Sequence, residues 1–278
     1  MYRDMHLGKM LLALFLVMGL TACSSSGDKD EVAVESATVE TLYERASKAM
    51  DDGRYVEATK YYEEVERQHP YSKWSTRAQL MAAYSSYLDQ RYDEAVASLD
   101  RYIQLHPGAE DVDYAYYLKA MSFYEQISDV RRDQEMTIQA IKALNTLIRR
   151  FPNSEYSRDA SLKRDLTLDH LAGKEMEIGR YYLNRGYTNA AINRFRTVVA
   201  SFQTTSHVAE ALHRLVEAYM TLGLKQEAYK VAAVLGHNYP GSKWYERSYK
   251  LLDDTQRKKM IDERGLVERT LDSLLKPD

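Results

Sequence analysis

One spacing recurs along the chain: an alanine lies twelve residues before a proline. The pairs are Ala58 with Pro70, Ala95 with Pro107, Ala140 with Pro152 and Ala228 with Pro240, while Ala191 has Gln203 at the same distance. In each copy, apolar or aromatic residues follow the alanine by four and by seven positions. This pattern predicts the buried face of an amphipathic helix, and a proline just beyond that face ends the helix.

A second small residue precedes the alanine by twelve positions in three of the five copies. These residues are Ala46, Ala83 and Gly179, and each lies inside another helical pattern. Small side chains at a crossing let two antiparallel helices approach closely, so each copy is predicted to be a helical hairpin. The pattern resembles the tetratricopeptide repeat (TPR), which has small residues in both helices. We therefore predict an all-α solenoid of five TPR hairpins, in which the fifth departs from the pattern with Val216.

The distances between copies locate two additions to the regular repeat. The first and the last interval are 37 residues (Ala58 to Ala95, Ala191 to Ala228), whereas Ala95 to Ala140 is 45 and Ala140 to Ala191 is 51. We expect the eight extra residues of the third unit between its two helices, around the sequence ISDVRRDQ. The fourteen extra residues of the fourth unit are almost four helical turns at roughly 3.6 residues each, which predicts one long helix from about Glu155 to Asn184.

Composition agrees with an almost entirely helical repeat protein. The 278 residues include only 5 prolines and 12 glycines. A repeat array buries each unit against the next, so this length raises no difficulty for core formation. The formal net charge of −3 gives little reason to expect nucleic acid as a partner.

The amino-terminal residues predict export and lipid attachment. Residues 1–22 have the basic start and short apolar run of a secretory signal. The run ends in Leu20, Thr21, Ala22 and Cys23, which resembles the bacterial lipobox, and Cys23 is the only cysteine of the chain. The alternative is a signal that ends near a cysteine by chance, which would leave an exposed free thiol. If the resemblance holds, Cys23 carries covalent lipid, and Ser24 favours the outer membrane, with the protein facing the periplasm.

Four segments follow from these patterns. Residues 1–22 are the predicted signal peptide, and residues 23–38 are the predicted lipidated start and flexible tether. Residues 39–152 hold units one to three, and residues 153–278 hold units four and five with carboxy-terminal helices that cap the last apolar face.

Two groups of residues are candidate binding sites. Six tyrosines fall on the first helices of units one to three, where we expect them to line a groove for an extended peptide: Tyr43, Tyr84, Tyr87, Tyr114, Tyr117 and Tyr124. The alternative is that these tyrosines pack the seams between helices. In unit four, Arg194 and Arg196 lie about 200° apart around a helix, so at least one should face outward, where it is available to an acidic partner. The alternative for either residue is a solvated arginine beside Asn193.

No pattern typical of catalysis occurs. The seven histidines have no metal-binding spacing, and there is no glycine-rich phosphate loop or GxSxG motif. We therefore predict a protein that is not an enzyme and that has no metal and no cofactor besides the lipid on Cys23.

Three stretches resemble the BamD family of outer-membrane lipoproteins: His106 to Met121, Ile148 to Ala160 and His170 to Ser201. The resemblance implies a scaffold of the outer-membrane β-barrel assembly machine that holds the periplasmic domains of BamA through its carboxy-terminal units, alongside other Bam lipoproteins. In that family the arginine of an Asn-Arg dipeptide lies at this contact, so Arg194 is carried over, with Arg196 as its neighbour. The amino-terminal units are expected to receive the carboxy-terminal segments of unfolded outer-membrane proteins, which end in an aromatic residue.

Two other functions remain open at this point. One is a periplasmic TPR adaptor of a different envelope machine, such as a secretin pilotin or a Tol-Pal coordinator. The other is a lipoprotein that binds or hydrolyses peptidoglycan. Gln203 in place of proline and the large Val216 are departures from the family pattern that concern the packing of units four and five.

Overall fold

A computed structural model describes residues 37–129, 131–252, 270, 274 and 275. The predicted signal peptide, the lipobox residues Leu20, Thr21 and Ala22, and the lipidation site Cys23 lie outside these residues. Within the described ranges eleven helices have defined bounds and no strand occurs. The prediction of an all-α fold is confirmed.

Ten of these helices form five consecutive hairpins. The hairpins are α1 (Val39–Asp51) with α2 (Tyr55–Gln68), α3 (Lys73–Leu88) with α4 (Tyr92–Leu105), α5 (Val112–Tyr124) with α6 (Glu135–Arg150), α7 (Glu155–Asn184) with α8 (Thr188–Ser201), and α9 (Val208–Thr221) with α10 (Lys225–Asn238). Each helix packs mainly against its neighbours in sequence, which is the contact pattern of a repeat solenoid. The TPR prediction is therefore confirmed, and α11 (Lys243–Leu251) packs against the last hairpin.

The small residues of the hairpins are buried, as the spacing predicted. Ala46 and Ala58 in the first unit and Ala83 and Ala95 in the second are all 0% exposed. In unit four the small residue is Gly179, where an added Cβ atom would lie 2.4 Å from Cε1 of Phe195. Only glycine fits at that crossing without movement of the ring.

Unit five accommodates its larger residue by an exchange of volume. Val216 and the partner-helix residue Ala232 are both 0% exposed and belong to one core cluster. In the other units the residue at the position of Ala232 is large, for example Phe195 in unit four. In unit five the larger side chain is thus on the first helix and the smaller one is on the second, the reverse of unit four.

The turns inside the hairpins follow the same register. Gly53, Gly186 and Gly223 have φ angles of 74°, 78° and 75°, in the left-handed region that favours glycine. Unit two has Gln90 at this position, with φ 61°. Three units therefore use glycine to close the turn.

The two additions to the repeat lie where the spacing placed them, and they contact each other. α7 spans 30 residues, and residues 125–134 connect α5 to α6. Lys174 Nζ on α7 donates a hydrogen bond to the carbonyl oxygen of Arg132 over 3.3 Å, and Arg131 lies 3.6 Å from Glu177. The insertion of unit three therefore packs against the second half of α7.

The end of the described array is closed by α11. Ser242 caps this helix by accepting a hydrogen bond from the Tyr245 backbone N–H over 3.1 Å. Gly236 of α10 permits the close approach, since a Cβ atom there would lie 2.5 Å from the Tyr245 ring. No helix among the described residues is long and apolar enough to cross a membrane.

Candidate functional site

Four of the six predicted groove tyrosines lie close together on α3 and α5. The ring centroids of Tyr84 and Tyr114 are 6.4 Å apart, and those of Tyr114 and Tyr117 are 6.5 Å apart. Tyr87 lies on the same helix as Tyr84 and packs against the same core cluster. The rings form a half-buried aromatic surface that extends across two units.

A residue that the sequence analysis missed completes this surface. Tyr156, in the first turn of α7, stacks on Tyr117 with ring centroids 5.1 Å apart and lies 5.3 Å from Tyr114. A signal for it exists in the sequence, because an aromatic residue stands four positions after proline here and also at Trp74 and Trp244. The surface therefore continues from unit two into unit four.

Burial controls the ionisation of these hydroxyl groups. Loss of solvent raises the pKa of Tyr87 to about 12, with a smaller contribution from the charge of Glu125. Burial also raises the pKa of Tyr114 and of Tyr117, whose hydroxyl donates a 2.8 Å hydrogen bond to Asp159. At neutral pH these groups are uncharged hydrogen-bond donors, which suits contact with peptide carbonyl groups as well as packing between helices.

Tyr124, the fifth groove tyrosine, lies at the other end of α5. The Nζ atom of Lys163 is 5.1 Å from the centroid of its ring, in a cation–π contact. The ammonium group of Lys163 on α7 therefore covers the face of the Tyr124 ring.

Tyr43 belongs to a different aromatic cluster, at the junction of units one and two. Its ring centroid lies 5.3 Å from that of Tyr62 and 4.7 Å from that of Trp74. These three residues line a cleft of about 350 Å³, together with Arg77 and Asp51. The six predicted tyrosines thus contribute to three locations.

The arginine pair of unit four also divides between two locations. Arg194 is 42% exposed and donates to Glu175 of α7 over 3.1 Å. Arg196 is directed toward α9. Burial raises the pKa of Tyr219 on that helix, and the positive charge of Arg196 partly offsets this rise. The two guanidinium groups therefore face different neighbouring helices, in agreement with their angular separation.

A buried polar cluster joins α9 to α11. His213 is 3% exposed, and its Nδ1 atom lies 2.8 Å from Oγ of Ser248, while Nε2 lies 3.3 Å from Glu217. Hydrogen bonds from His213 and Arg214 lower the pKa of Glu217 to about 2.

Serine, histidine and glutamate are also the components of a hydrolytic triad. Ser248 is 0% exposed, so a substrate has no access to its hydroxyl group. The cluster is consequently a structural connection between two helices. In the part of the chain that the structure describes, no group of three potential ligands is placed to hold a metal ion.

The chain is similar to known outer-membrane lipoproteins. The family model described as YfiO, outer membrane lipoprotein, matches residues 35–235. The chain is 46% identical over 270 residues to the outer membrane protein assembly factor BamD of Caulobacter vibrioides, covering 96% of this chain and 88% of that protein. It is 47% identical over 254 residues to the protein of that name from Rickettsia prowazekii, covering 91% and 100%, and 36% identical over 246 residues to that of Neisseria meningitidis, covering 84% and 92%.

Proposed function

The chain belongs to the family of the outer membrane protein assembly factor BamD, and from this premise we propose that it is a non-catalytic scaffold of the outer-membrane protein assembly complex. The scaffold holds BamA through its carboxy-terminal units and receives carboxy-terminal segments of unfolded outer-membrane proteins on its amino-terminal units. Covalent lipid on Cys23 anchors it at the periplasmic face of the outer membrane. Family membership is the observation that carries the proposal.

The chemistry of Arg194 supports a contact with a partner in unit four. Its guanidinium carries five N–H donors, and Glu175 accepts from Nη1. The side chain is 42% exposed, so donors remain accessible to a carboxylate from outside the chain. An arginine already oriented by Glu175 loses less conformational entropy when it binds a second carboxylate.

Replacement of Arg194 tests this contact. Arg194→Glu should weaken association with BamA by roughly tenfold or more, because a favourable charge-assisted contact becomes a repulsive one. The measurement is co-purification of BamA from mild detergent, followed by titration of the purified variant with the BamA periplasmic domains. Unchanged binding by Arg194→Glu would remove this residue from the interface.

A matched variant separates the partner contact from the internal ion pair. Glu175→Gln breaks the same ion pair but leaves Arg194 in place, and an ion pair at this exposure contributes only about 0–1 kcal/mol to folding. We expect this variant to retain most BamA binding. An equal loss in both variants would mean that the internal pair, rather than a contact with the partner, is responsible. Recovery of a secretin in place of BamA would contradict the proposed function as a whole.

The aromatic surface that extends from unit two into unit four supports the peptide-binding part of the proposal. Tyrosine provides a large, rigid contact area and a hydroxyl donor at low entropic cost. Tyr114, Tyr117 and Tyr156 place three rings side by side across units three and four. A peptide in extended conformation can bury alternate side chains against such a surface.

A further inference from the structure

Three cations surround one aromatic ring at the start of α11. The Nζ atom of Lys243 and the Cζ atom of Arg247 each lie 5.0 Å from the centroid of the Trp244 ring, and Cζ of Arg214 on α9 lies 5.6 Å from it. The ring attracts each cation through its electron-rich face. Positive charges this close together also repel one another, so nearby carboxylates lower the energy of the arrangement.

Among the described residues, carboxylates neutralise only one of these cations. Arg214 forms ion pairs with two carboxylates of its own helix, Glu217 at 2.7 Å and Glu210 at 3.3 Å. Lys243 and Arg247 are both exposed, and neither forms an ion pair with a described residue. The fold therefore leaves an excess of positive charge beside the ring.

The carboxylate of α11 itself does not pair with these cations. Glu246 stands three positions after Lys243, a spacing at which Arg91 and Glu94 form an ion pair in α4. In α11 the lysine lies against the indole ring instead, together with Arg247. Two cations that converge on one ring in this way are suitably placed for an anion from outside the chain.

The spacing of the exposed residues on α11 matches a chain that carries several carboxylates. Lys243, Arg247 and Leu251 follow one another by four residues, so they form one stripe with a helical turn between successive members. Four residues of a helix rise about 6 Å, and alternate residues of an extended chain are about 7 Å apart. Leu251 is 41% exposed. The stripe therefore suits a segment with acidic residues at alternate positions followed by an apolar side chain.

The aromatic residue of this surface favours a protein partner over a lipid bilayer. A helix that binds a membrane surface buries its apolar side chains among the acyl chains. Trp244 is half-buried against the core of units four and five, and its ring centroid lies 5.3 Å from that of His213. The ring is thus held by the fold, where it can orient the two cations but cannot insert into a bilayer.

We propose that the stripe of Lys243, Arg247 and Leu251 binds an acidic segment of a partner protein. The guanidinium of Arg247 offers paired N–H donors to one carboxylate, and the ammonium group of Lys243 pairs with a second. Cation–π contacts with Trp244 orient both side chains beforehand, which reduces the conformational entropy lost on binding. The inference goes beyond the proposed function, because α11 follows the five hairpins to which that function assigns its contacts.

Peptide titrations on the purified full chain in mild detergent test the inference. The probe is a short peptide with glutamate at alternate positions, serine between them and leucine near its end. It is compared with the same peptide in which glutamine replaces every glutamate. We expect the glutamate peptide to bind about tenfold more tightly at low salt, and this preference to decrease as salt is added.

Two matched double variants assign that preference to α11. Lys243→Gln with Arg247→Gln should bind both peptides equally. Lys142→Gln with Arg149→Gln should keep the preference, because it removes the same charge from the exposed face of α6. All four residues are exposed, and melting temperatures confirm that each variant folds.

Reversal of the charges distinguishes a direct contact from a loss of structure. Lys243→Glu with Arg247→Glu should lose the preference for the glutamate peptide. It should instead prefer a peptide with lysine at the same alternate positions, since each charge pair is restored with its partners exchanged. A structural defect would weaken the binding of every peptide and would not reverse the preference.

Three results would overturn the inference. The first is equal binding, or no binding, of the two peptides by the wild-type chain. The second is a preference that survives in the α11 glutamine variant or that falls equally in the α6 variant. The third is displacement of the peptide by micelles containing phosphatidylglycerol where micelles containing phosphatidylcholine have no effect, which would assign the surface to lipid phosphate. The contact between Arg194 and BamA is unaffected by any of these results.

Discussion

At the scale of single residues, Gly179 lies where the packing leaves no room for a Cβ atom unless the Phe195 ring moves. The residue is buried on α7, and the Phe195 ring beside it is 0% exposed and belongs to the core of units four and five. A glycine inside a helix costs about 1 kcal/mol relative to alanine, so its presence requires a compensating reason. The reason is the contact with the phenylalanine ring.

Gly179→Ala should therefore destabilise the protein despite its higher helix propensity. The added Cβ would lie 2.4 Å from Phe195 Cε1, and overpacking of this kind costs about 1–3 kcal/mol. We expect a net loss of about 1 kcal/mol in the free energy of unfolding, measured by urea denaturation.

A second background isolates the cause of that loss. In a Phe195→Leu chain the ring is absent, so Gly179→Ala should become neutral or stabilising by up to about 1 kcal/mol. A rise in stability on Gly179→Ala in the wild-type chain would mean that the ring moves aside at no cost.

At the scale of elements, α11 is attached to α9 by a polar contact as well as an apolar one. Ser248 and His213 form a hydrogen bond in a site that is almost fully buried. Glu217 accepts from His213 on one side and from Arg214, over 2.7 Å, on the other. Loss of one partner would leave buried polar atoms without hydrogen bonds, at about 1–3 kcal/mol.

The lowered pKa of Glu217 makes this attachment dependent on pH. A carboxyl group with a lowered pKa in the folded state stabilises the fold fully above its ordinary pKa of 4.5, and this contribution is lost as the pH falls through about 2. With allowance for solvent screening, Glu217→Gln should lower stability by about 1–2 kcal/mol at pH 7. The difference in the free energy of unfolding between Glu217→Gln and the wild type should become smaller as the pH falls from 4.5 to 2.

Urea titrations from pH 7 to pH 3 measure this effect. Glu227→Gln is the control, since Glu227 is an exposed residue of α10 paired only with nearby Lys230 among the described residues. It should change stability by less than about 0.5 kcal/mol at each pH. If the difference in the free energy of unfolding between Glu217→Gln and the wild type stayed constant down to pH 3, a lowered pKa of Glu217 would be contradicted.

The helices could be predicted from sequence because their spacing is regular. The 37-residue register gave the hairpins, and departures from it gave the bounds of α7 and the connection at 125–134. The binding surfaces were less predictable, because contacts such as that between Tyr117 and Tyr156 depend on side-chain rotamers and on how neighbouring units are rotated. A repeat length of 37 residues encodes neither.

The open cleft and the buried cluster at His213 illustrate the same limit. Both junctions carry the sequence SKW, at Ser72 to Trp74 and at Ser242 to Trp244. Residues outside this motif decide whether the junction closes, as Ser248 on α11 and His213 on α9 do at the last junction. The motif therefore predicts where a junction between units lies, but it does not predict whether the junction is open or closed.

At the scale of the whole molecule, the proposed anchor determines where the scaffold works. Lipid on Cys23 would hold the array at the membrane surface through several acyl chains, which bind far more firmly than one. The tether of residues 23–38 would give roughly 20 Å of reach if flexible.

Cys23→Ser tests the anchor directly. We expect the variant to leave the membrane fraction and to be recovered in the soluble periplasmic fraction, with helicity by circular dichroism unchanged. Ser24→Asp is the matched variant, which should keep the lipid but retain the protein at the inner membrane. Recovery of Cys23→Ser with the outer membrane, in a strain without BamA contact, would contradict lipid anchoring.

The matched volumes within units four and five fix which helices can pair in each hairpin. A chimera that swapped α7 and α9 between their partners would place Val216 against Phe195 and Gly179 against Ala232. The first junction would be overfilled and the second would contain a void, and each defect costs about 1–3 kcal/mol or more. The two units look interchangeable in their spacing, yet each of these hairpins is matched to its own second helix, so whole hairpins can be exchanged with less damage to this packing than single helices.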